Sequence, residues 1–338
     1  MKVLRFLLFP FAILYDFVTR IRNLFFNIGV FKETSFKIPV IIVGNLSVGG
    51  TGKTPQIEYL IRLLKDTYKT AVLSRGYKRK TTGFVLLNKT HAAADVGDEP
   101  MQYFNKFKNI NVAVDANRVA GITKLISKIK PDVILLDDAF QHRKVKGSFY
   151  ILLTKYDDLF VDDFLLPTGN LRERRQGANR AQVILVTKCP HNLSKKEQDV
   201  IKLKLSIFNK KVFFTAIAYA DKVLGSLEIP TSALKDFEVL LITGIANPSP
   251  LLDYLESLQV KFQHLKYADH HHFSENEIVE IKAKFDGMKS SNKIILTTEK
   301  DYVRLVELVA NLSYLPIETS FLNNESEVFN SLVNNHLK

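Results

Sequence analysis

The chain has one cysteine, Cys189, in 338 residues. A single thiol excludes an internal disulfide framework and any CxxC zinc or redox motif, and it fits a reducing compartment. Acidic residues are also in deficit: 35 Asp and Glu stand against 47 Lys and Arg, a formal charge of +12. That surplus points to anionic partners, among them phosphorylated small molecules, nucleic acid and acidic membrane surfaces, without choosing between them. Internal repeats and glycine-rich low complexity are absent. With 46% hydrophobic residues the chain can bury a large core, which argues against disorder and suits two domains better than one.

The N-terminus lacks what a spanning or cleaved segment needs. Its uncharged, mostly apolar run from Phe6 to Tyr15 falls short of the about 20 residues that cross a bilayer. "DFVTRIRN" follows it in place of a small-residue cleavage site. On a helix, Leu4, Leu7, Phe11, Leu14, Val18, Ile21, Phe25 and Ile28 share one side, with Lys2, Arg5, Asp16, Arg20, Asn23 and Asn27 opposite. Phe9, Ile13 and Arg22 depart from the pattern, and Pro10 should kink or restart the helix unless it sits in a first turn. Such a helix either packs on the protein's own core or lies in a membrane surface with its basic residues at anionic headgroups. The phenylalanines and the basic balance favour the second over residues 1–29.

From Lys37 the text changes. "KIPVIIVG" is a β-branched apolar run, "NLSVGGTGKTP" is glycine-rich, and "QIEYLIRLLKD" has helical periodicity. Strand, loop and helix form the context of a phosphate-binding loop. Ser47 to Thr54 matches GxxxxGK[ST] except that Ser47 replaces the first glycine. The candidate nucleotide-binding residues are therefore Ser47, Val48, Gly49, Gly50, Thr51, Gly52, Lys53 and Thr54. Lys53 would reach the β- and γ-phosphates of ATP and Thr54 would hold Mg2+. In "PDVILLDDAFQHR" a buried-type strand runs into Asp137 and Asp138, either of which could supply the second metal ligand. His142 is either a nucleotide contact or a solvent-facing histidine. Strands alternate with helices through "TAVLSRGYKRK", "VGDEPMQYF" and "INVAVDANRVAGITKLISKI", which predicts a P-loop NTPase-type parallel α/β sheet flanked by helices.

A partition-type ATPase would carry lysine where this loop has Val48. A GTPase would carry an acid where "VILVTKCP" ends in Pro190. Both become minor alternatives, and a kinase remains, needing an acceptor hydroxyl and a base near the γ-phosphate.

In order along the chain, "VGNLSVGGTGKTP", "SRGYKRK", "VGDEP", "LLDDAFQHR", "LLPTGNLRE", "TGIANP", "ADHHHFSE" and "TTEKDYVRL" resemble the tetraacyldisaccharide 4'-kinase family, the lipid A kinases. The motifs run from Val43 to Leu305; only the phosphate loop is specific alone, but the ordered set is very specific. The resemblance implies transfer of the ATP γ-phosphate to the 4'-hydroxyl of a tetraacyldisaccharide 1-phosphate, giving lipid IVA on the cytoplasmic face of the bacterial inner membrane. A lipid acceptor stays in the bilayer, so an interfacial helix suits it.

The acceptor is anionic, which suits Arg75, Lys78, Arg79, Asn170 and Arg172 as substrate contacts. A solvated basic face is the plain alternative for these clusters, and no RNA-type interleaving of aromatic and basic residues favours nucleic acid. An obligate protein partner is not indicated. By itself Asp98 reads as a helix N-cap. The resemblance makes it the base, paired with His270 of the three-histidine run, which together with Lys53 gives the expected catalytic set. Adjacent histidines suit zinc poorly, and Ser274 with Glu277 at capping-box spacing accounts for the run's other end. The expected division is 1–29 as the membrane-surface helix, 30–206 as the kinase domain, 207–238 as a two-stranded linker, and 239–338 as a smaller α/β domain. Asp98 and His270 would then meet by closure of one domain on the other.

Overall fold

The structure, a computed structural model, describes residues 5–269 and 271–338. Helix α1 spans Phe9–Asn27 after a single 3-10 turn at Phe6–Leu8, with Pro10 in its first turn. That is where a proline costs no intrahelical bond, so the helix restarts at Pro10 as its ring requires.

The larger unit is one nine-stranded sheet. Its strands in chain order are β1 (Val40–Asn45), β2 (Thr70–Ser74), β3 (Val85–Leu86), β4 (Asn111–Val114), β5 (Val133–Asp137), β6 (Phe149–Lys155), β7 (Val183–Thr187), β8 (Lys211–Tyr219) and β15 (Ile317–Phe321). They lie in the order β15-β8-β7-β6-β1-β5-β2-β4-β3, parallel except for β3 and β15 at the two edges. Period-two alternation sorts the side chains. Ile41, Val43, Val133, Leu135, Ile151 and Leu185 face one core, with Ile57, Leu60, Tyr103 and Phe329 from helices. Val40, Ile42, Ile134, Leu136, Leu152 and Ile184 face two cores on the opposite side. Both faces are covered, so these strands are apolar throughout, as parallel sheets require. The covering helices used below are α2 (Lys53–Leu64), α3 (Asp98–Lys106), α4 (Arg118–Ile129) and α5 (Lys195–Leu205).

The smaller unit has six strands in the order β10-β9-β14-β13-β11-β12. They are β9 (Lys222–Gly225), β10 (Ile229–Pro230), β11 (Glu238–Thr243), β12 (Lys261–Lys266), β13 (Lys293–Thr298) and β14 (Leu312–Leu315). Helices α6 (Ser249–Ser257), α7 (Glu275–Asp286) and α8 (Glu299–Leu305) complete it, and α9 (Ser326–Leu337) ends the chain.

The topology differs from the expected division in two places. The region 207–238 is not a linker of its own: β8 extends the large sheet beside β7, while β9 pairs with β10 at the edge of the small one. After β14 the chain returns, β15 pairing antiparallel with β8 and α9 placing Phe329 and Val333 in the large core. Residues 317–338 therefore complete the larger unit rather than the smaller one. An edge strand needs a partner and an apolar helix face needs a sheet, and local composition cannot say which sheet provides them.

Candidate active site

The phosphate loop follows β1, between β5 and β6 at the centre of the sheet, where the chain crosses over in opposite directions. This is the topological switch point at which open α/β sheets bind ligands. Its first residues are held as extended chain: Ser47 bridges Leu171, Val48 N donates to Asn170 O at 2.8 Å, and Arg172 N donates to Leu46 O at 2.7 Å. Ser47, buried at the foot of the loop, thus stands where no glycine conformation is needed. Gly49 and Gly52 take φ of +103° and +82°, which side chains resist. Gly52 is the N-cap of α2, so the helix start with its partial positive charge opens into the loop. Thr187 Oγ1 donates to Thr51 O at 2.9 Å and steadies the turn.

Lys53, the first residue of α2, points to Asp138, Nζ to Oδ1 at 3.4 Å, and Arg172 reaches the same carboxylate at 3.3 Å. Burial opposes the charge on Asp138, but these two cations hold its pKa below the usual value. Asp137 is a different acid. It is the buried last residue of β5; its Oδ2 accepts from Tyr103 OH at 3.3 Å and Ser74 Oγ at 3.5 Å, while Oδ1 has no partner among the described residues. Burial and the neighbouring Asp138 push its pKa up to about 7. An orphaned carboxylate oxygen made costly by burial is what a divalent cation would relieve. The Thr54 hydroxyl lies beside Tyr103 in the same cluster, so Thr54 and Asp137 fit Mg2+. Mg2+ is commonly held through one or two carboxylates together with waters and substrate phosphates.

Asp98 is not the N-cap expected of it: Gly97, at φ +98°, holds that position and Asp98 opens α3. Its side chain instead pairs with Arg304 of α8, in the smaller unit. The expectation placed on His270 lies outside the described residues. His271, partly exposed, is engaged within its own segment. It stacks on Tyr267 and bonds Glu277 Oε1 at 2.9 Å, while Ser274 and Glu277 form the expected capping box.

Of the basic candidates, Arg75 and Lys78 are exposed at the end of β2. Arg79 is committed to its own loop, donating to the carbonyls of Gly83 and Val114. Asn170 and Arg172 lie at the phosphate loop, and the Asn170 side chain accepts from Arg5 Nη1 at 3.1 Å. His142 is half-buried, and burial together with Arg118 lowers its pKa to about 4, so it is neutral.

Three residues escaped sequence reasoning. Tyr103 donates to Asp137; buried Arg118 donates to the Asp115 and Asp137 carbonyls at 2.9 and 3.5 Å; Lys188 brings its Nζ to 3.9 Å from where a side chain on Gly50 would begin. Only Arg118 carried a signal, its place just after the Asn117 N-cap at a strand end.

Helix α1 sits on the same segment as the loop, polar face inward. Arg5 donates to Gly169 O and Pro167 O at 2.7 and 3.2 Å, Tyr15 OH to Arg172 O at 2.7 Å, Asp16 pairs with Arg174, and Arg22 donates to Gln141 O at 3.0 Å. The apolar face stays outside: Leu7, Phe11, Leu14, Phe17 and Val18 are each between 57% and 73% exposed. Among the described residues, no helix is long and apolar enough to cross a membrane.

A glycine loop at the switch point, a lysine opening the next helix and paired carboxylates ending a neighbouring strand define a P-loop nucleoside-triphosphate phosphotransferase. The particular family follows from comparison with known proteins. The family model described as tetraacyldisaccharide-1-P 4'-kinase matches residues 4–338. Proteins named tetraacyldisaccharide 4'-kinase from Flavobacterium johnsoniae and Bacteroides thetaiotaomicron are 56% and 44% identical to this chain. These matches cover 96% of this chain and 95% of the first protein, and 96% of this chain and 90% of the second. A crystal structure of LpxK from Aquifex aeolicus in complex with ATP superposes with a TM-score of 0.80 at 30% identity, covering 99% of this chain and all of that one. The chain belongs to the tetraacyldisaccharide 4'-kinase family and is an ATP- and Mg2+-dependent kinase of lipid A biosynthesis.

Proposed function

We propose that this kinase works while seated on a bilayer, with the cytoplasmic face of the inner membrane on the side that supplies ATP, and that its residues divide the transfer as follows. The acceptor is a tetraacyldisaccharide 1-phosphate and the product lipid IVA. The amides from Val48 to Gly52 and the start of α2 cradle the phosphates, and Lys53 leaves Asp138 to meet the γ-phosphate as negative charge spreads over it. Arg172, already on Asp138, stands ready for an anionic oxygen. Thr54 and Asp137 would hold Mg2+, which neutralises the charge on the phosphates. Asp98 takes the proton of the 4'-hydroxyl; in so loose a transition state its orientation matters more than its basicity. Arg75 and Lys78 face the anionic headgroup.

The observation that carries this reading is that residues 167–174 do two tasks at once. They pair with the foot of the phosphate loop and present Arg172 to Asp138, while holding α1 through Arg5, Tyr15 and Asp16. A helix bound through polar side chains on one side, with Leu7, Phe11, Leu14 and Phe17 outward on the other, is built for an acyl boundary, and here it is fastened to the catalytic loop. Measuring kcat against Mg2+ concentration for Asp137→Asn and Asp138→Asn tests the metal assignment. Asp137→Asn is expected to raise the Mg2+ requirement strongly, and an unchanged requirement there with a raised one in Asp138→Asn would reverse the roles.

A further inference from the structure

We infer that Arg304 is a positioning residue for Asp98, through which the docked smaller unit sets the orientation of the proton acceptor; this rests on the reading of Asp98 given above. Arg304 lies in the last turn of α8 and is 7% exposed. Its Nε stands 3.1 Å from Asp98 Oδ2, and Nη2 addresses the same oxygen. Gly97 is the N-cap of α3, so Asp98 stands inside its first turn.

Arg304 is itself held from behind. Nη1 donates to Asp301 Oδ1 at 3.3 Å, and Asp301, fully buried, accepts on Oδ2 from Gly244 N at 2.8 Å and Thr298 Oγ1 at 2.7 Å. Thr298 caps α8 by accepting from Asp301 N at 3.1 Å. The end of β11, the start of α8 and the guanidinium thus form one rigid frame whose outward end is the contact with Asp98. A planar, permanently charged fork transmits such a frame better than a flexible ammonium. The neighbouring cation, Lys300, is placed differently, 3.8 Å from Glu99 and 3.9 Å from Asp269. Burial disfavours the Arg304 charge, yet Asp98 and Asp301 more than offset it and raise its pKa. The sequence elements "TGIANP" and "TTEKDYVRL" acquire a shared purpose, since Gly244 belongs to one and Thr298, Asp301 and Arg304 to the other.

The test is a double-mutant cycle on phosphoryl transfer to the lipid acceptor in mixed micelles with ATP and Mg2+, comparing Arg304→Gln, Asp98→Asn and the pair. Displacing a reacting group by an ångström costs on the order of 100-fold. Arg304→Gln is therefore expected to lower kcat by about 10- to 100-fold with KM for ATP held within about twofold, and Arg304→Lys to recover part of the loss. In the Asp98→Asn background the same substitution should cost almost nothing further. An equal cost in both backgrounds, or wild-type kcat in Arg304→Gln, overturns the inference. Wild-type turnover in Asp98→Asn alone would instead remove the reading of Asp98 on which it rests. Should thermal melts show Arg304→Gln unfolded, the cycle is run with Arg304→Lys.

Discussion

At the scale of single residues, the site is organised by pairs of like groups with unlike surroundings. Asp137 and Asp138 are adjacent, yet one is held ionised by Lys53 and Arg172 while the other is pushed to about 7 by burial and its neighbour. The division proposed for them, metal ligand and lysine partner, was not legible in "LLDD", because it depends on which way β5 ends: Asp137 is the last strand residue and Asp138 turns off it at φ +48°. Tyr103 shows the same limit. Its hydroxyl is brought to Asp137 across 34 residues of chain. Tyr103→Phe keeps the buried ring and removes its hydrogen bond to Asp137. We expect the melting temperature to change by no more than a few degrees, since a net hydrogen bond contributes about 1 kcal/mol, and kcat to fall by about tenfold. Circular dichroism melts and steady-state kinetics check the two halves of that expectation.

Among the elements, the phosphate loop was the most legible and the seating of α1 the least. A P-loop is local: glycines, lysine and threonine within eight residues carry the geometry, and strand and helix flank them. The periodicity of residues 1–29 identified an amphipathic helix, but either face could have been the inner one. The structure decides through Arg5, Tyr15, Asp16 and Arg22, which reach carbonyls and an arginine that only the fold assembles. Because the apolar face makes so little of the core, Phe11→Asp with Leu14→Asp should leave stability within about 0.5 kcal/mol per site. Flotation with anionic vesicles should weaken by tenfold or more, each large apolar side chain contributing roughly 1.5–3 kcal/mol when buried. Undiminished flotation would assign the exposed face to something other than lipid.

Over the whole molecule, two units meet around Asp98 and around a buried cluster beside it. Lys106 of α3 bridges Glu58 of α2 at 2.7 Å and Glu299 of α8 at 2.9 Å. Two carboxylates share one ammonium, and burial with the repulsion of Glu58 raises Glu299 to about 7 from an ordinary 4.5. Its contribution to the docked state is therefore complete below about pH 4.5 and is lost as pH rises through about 7. Glu299→Gln should raise the melting temperature at pH 8 relative to wild type and flatten the decline between pH 5 and about 8; a parallel profile would mean that Glu299 keeps its charge. None of this was legible in sequence, since residues 58, 106 and 299 come together only when the chain has crossed between sheets and back. The same return makes 317–338 part of the larger unit, against the simple division by composition. In the proposed mechanism Asp98, oriented across the two units, takes the proton as ATP phosphorylates a lipid held at a bilayer. The most direct measurement is γ-phosphate transfer from ATP to a tetraacyldisaccharide 1-phosphate embedded in anionic vesicles, wild type beside Asp98→Asn. The account predicts a second phosphate on the lipid with wild type and a rate lower by about 100-fold or more in the variant; equal rates in the two would contradict it.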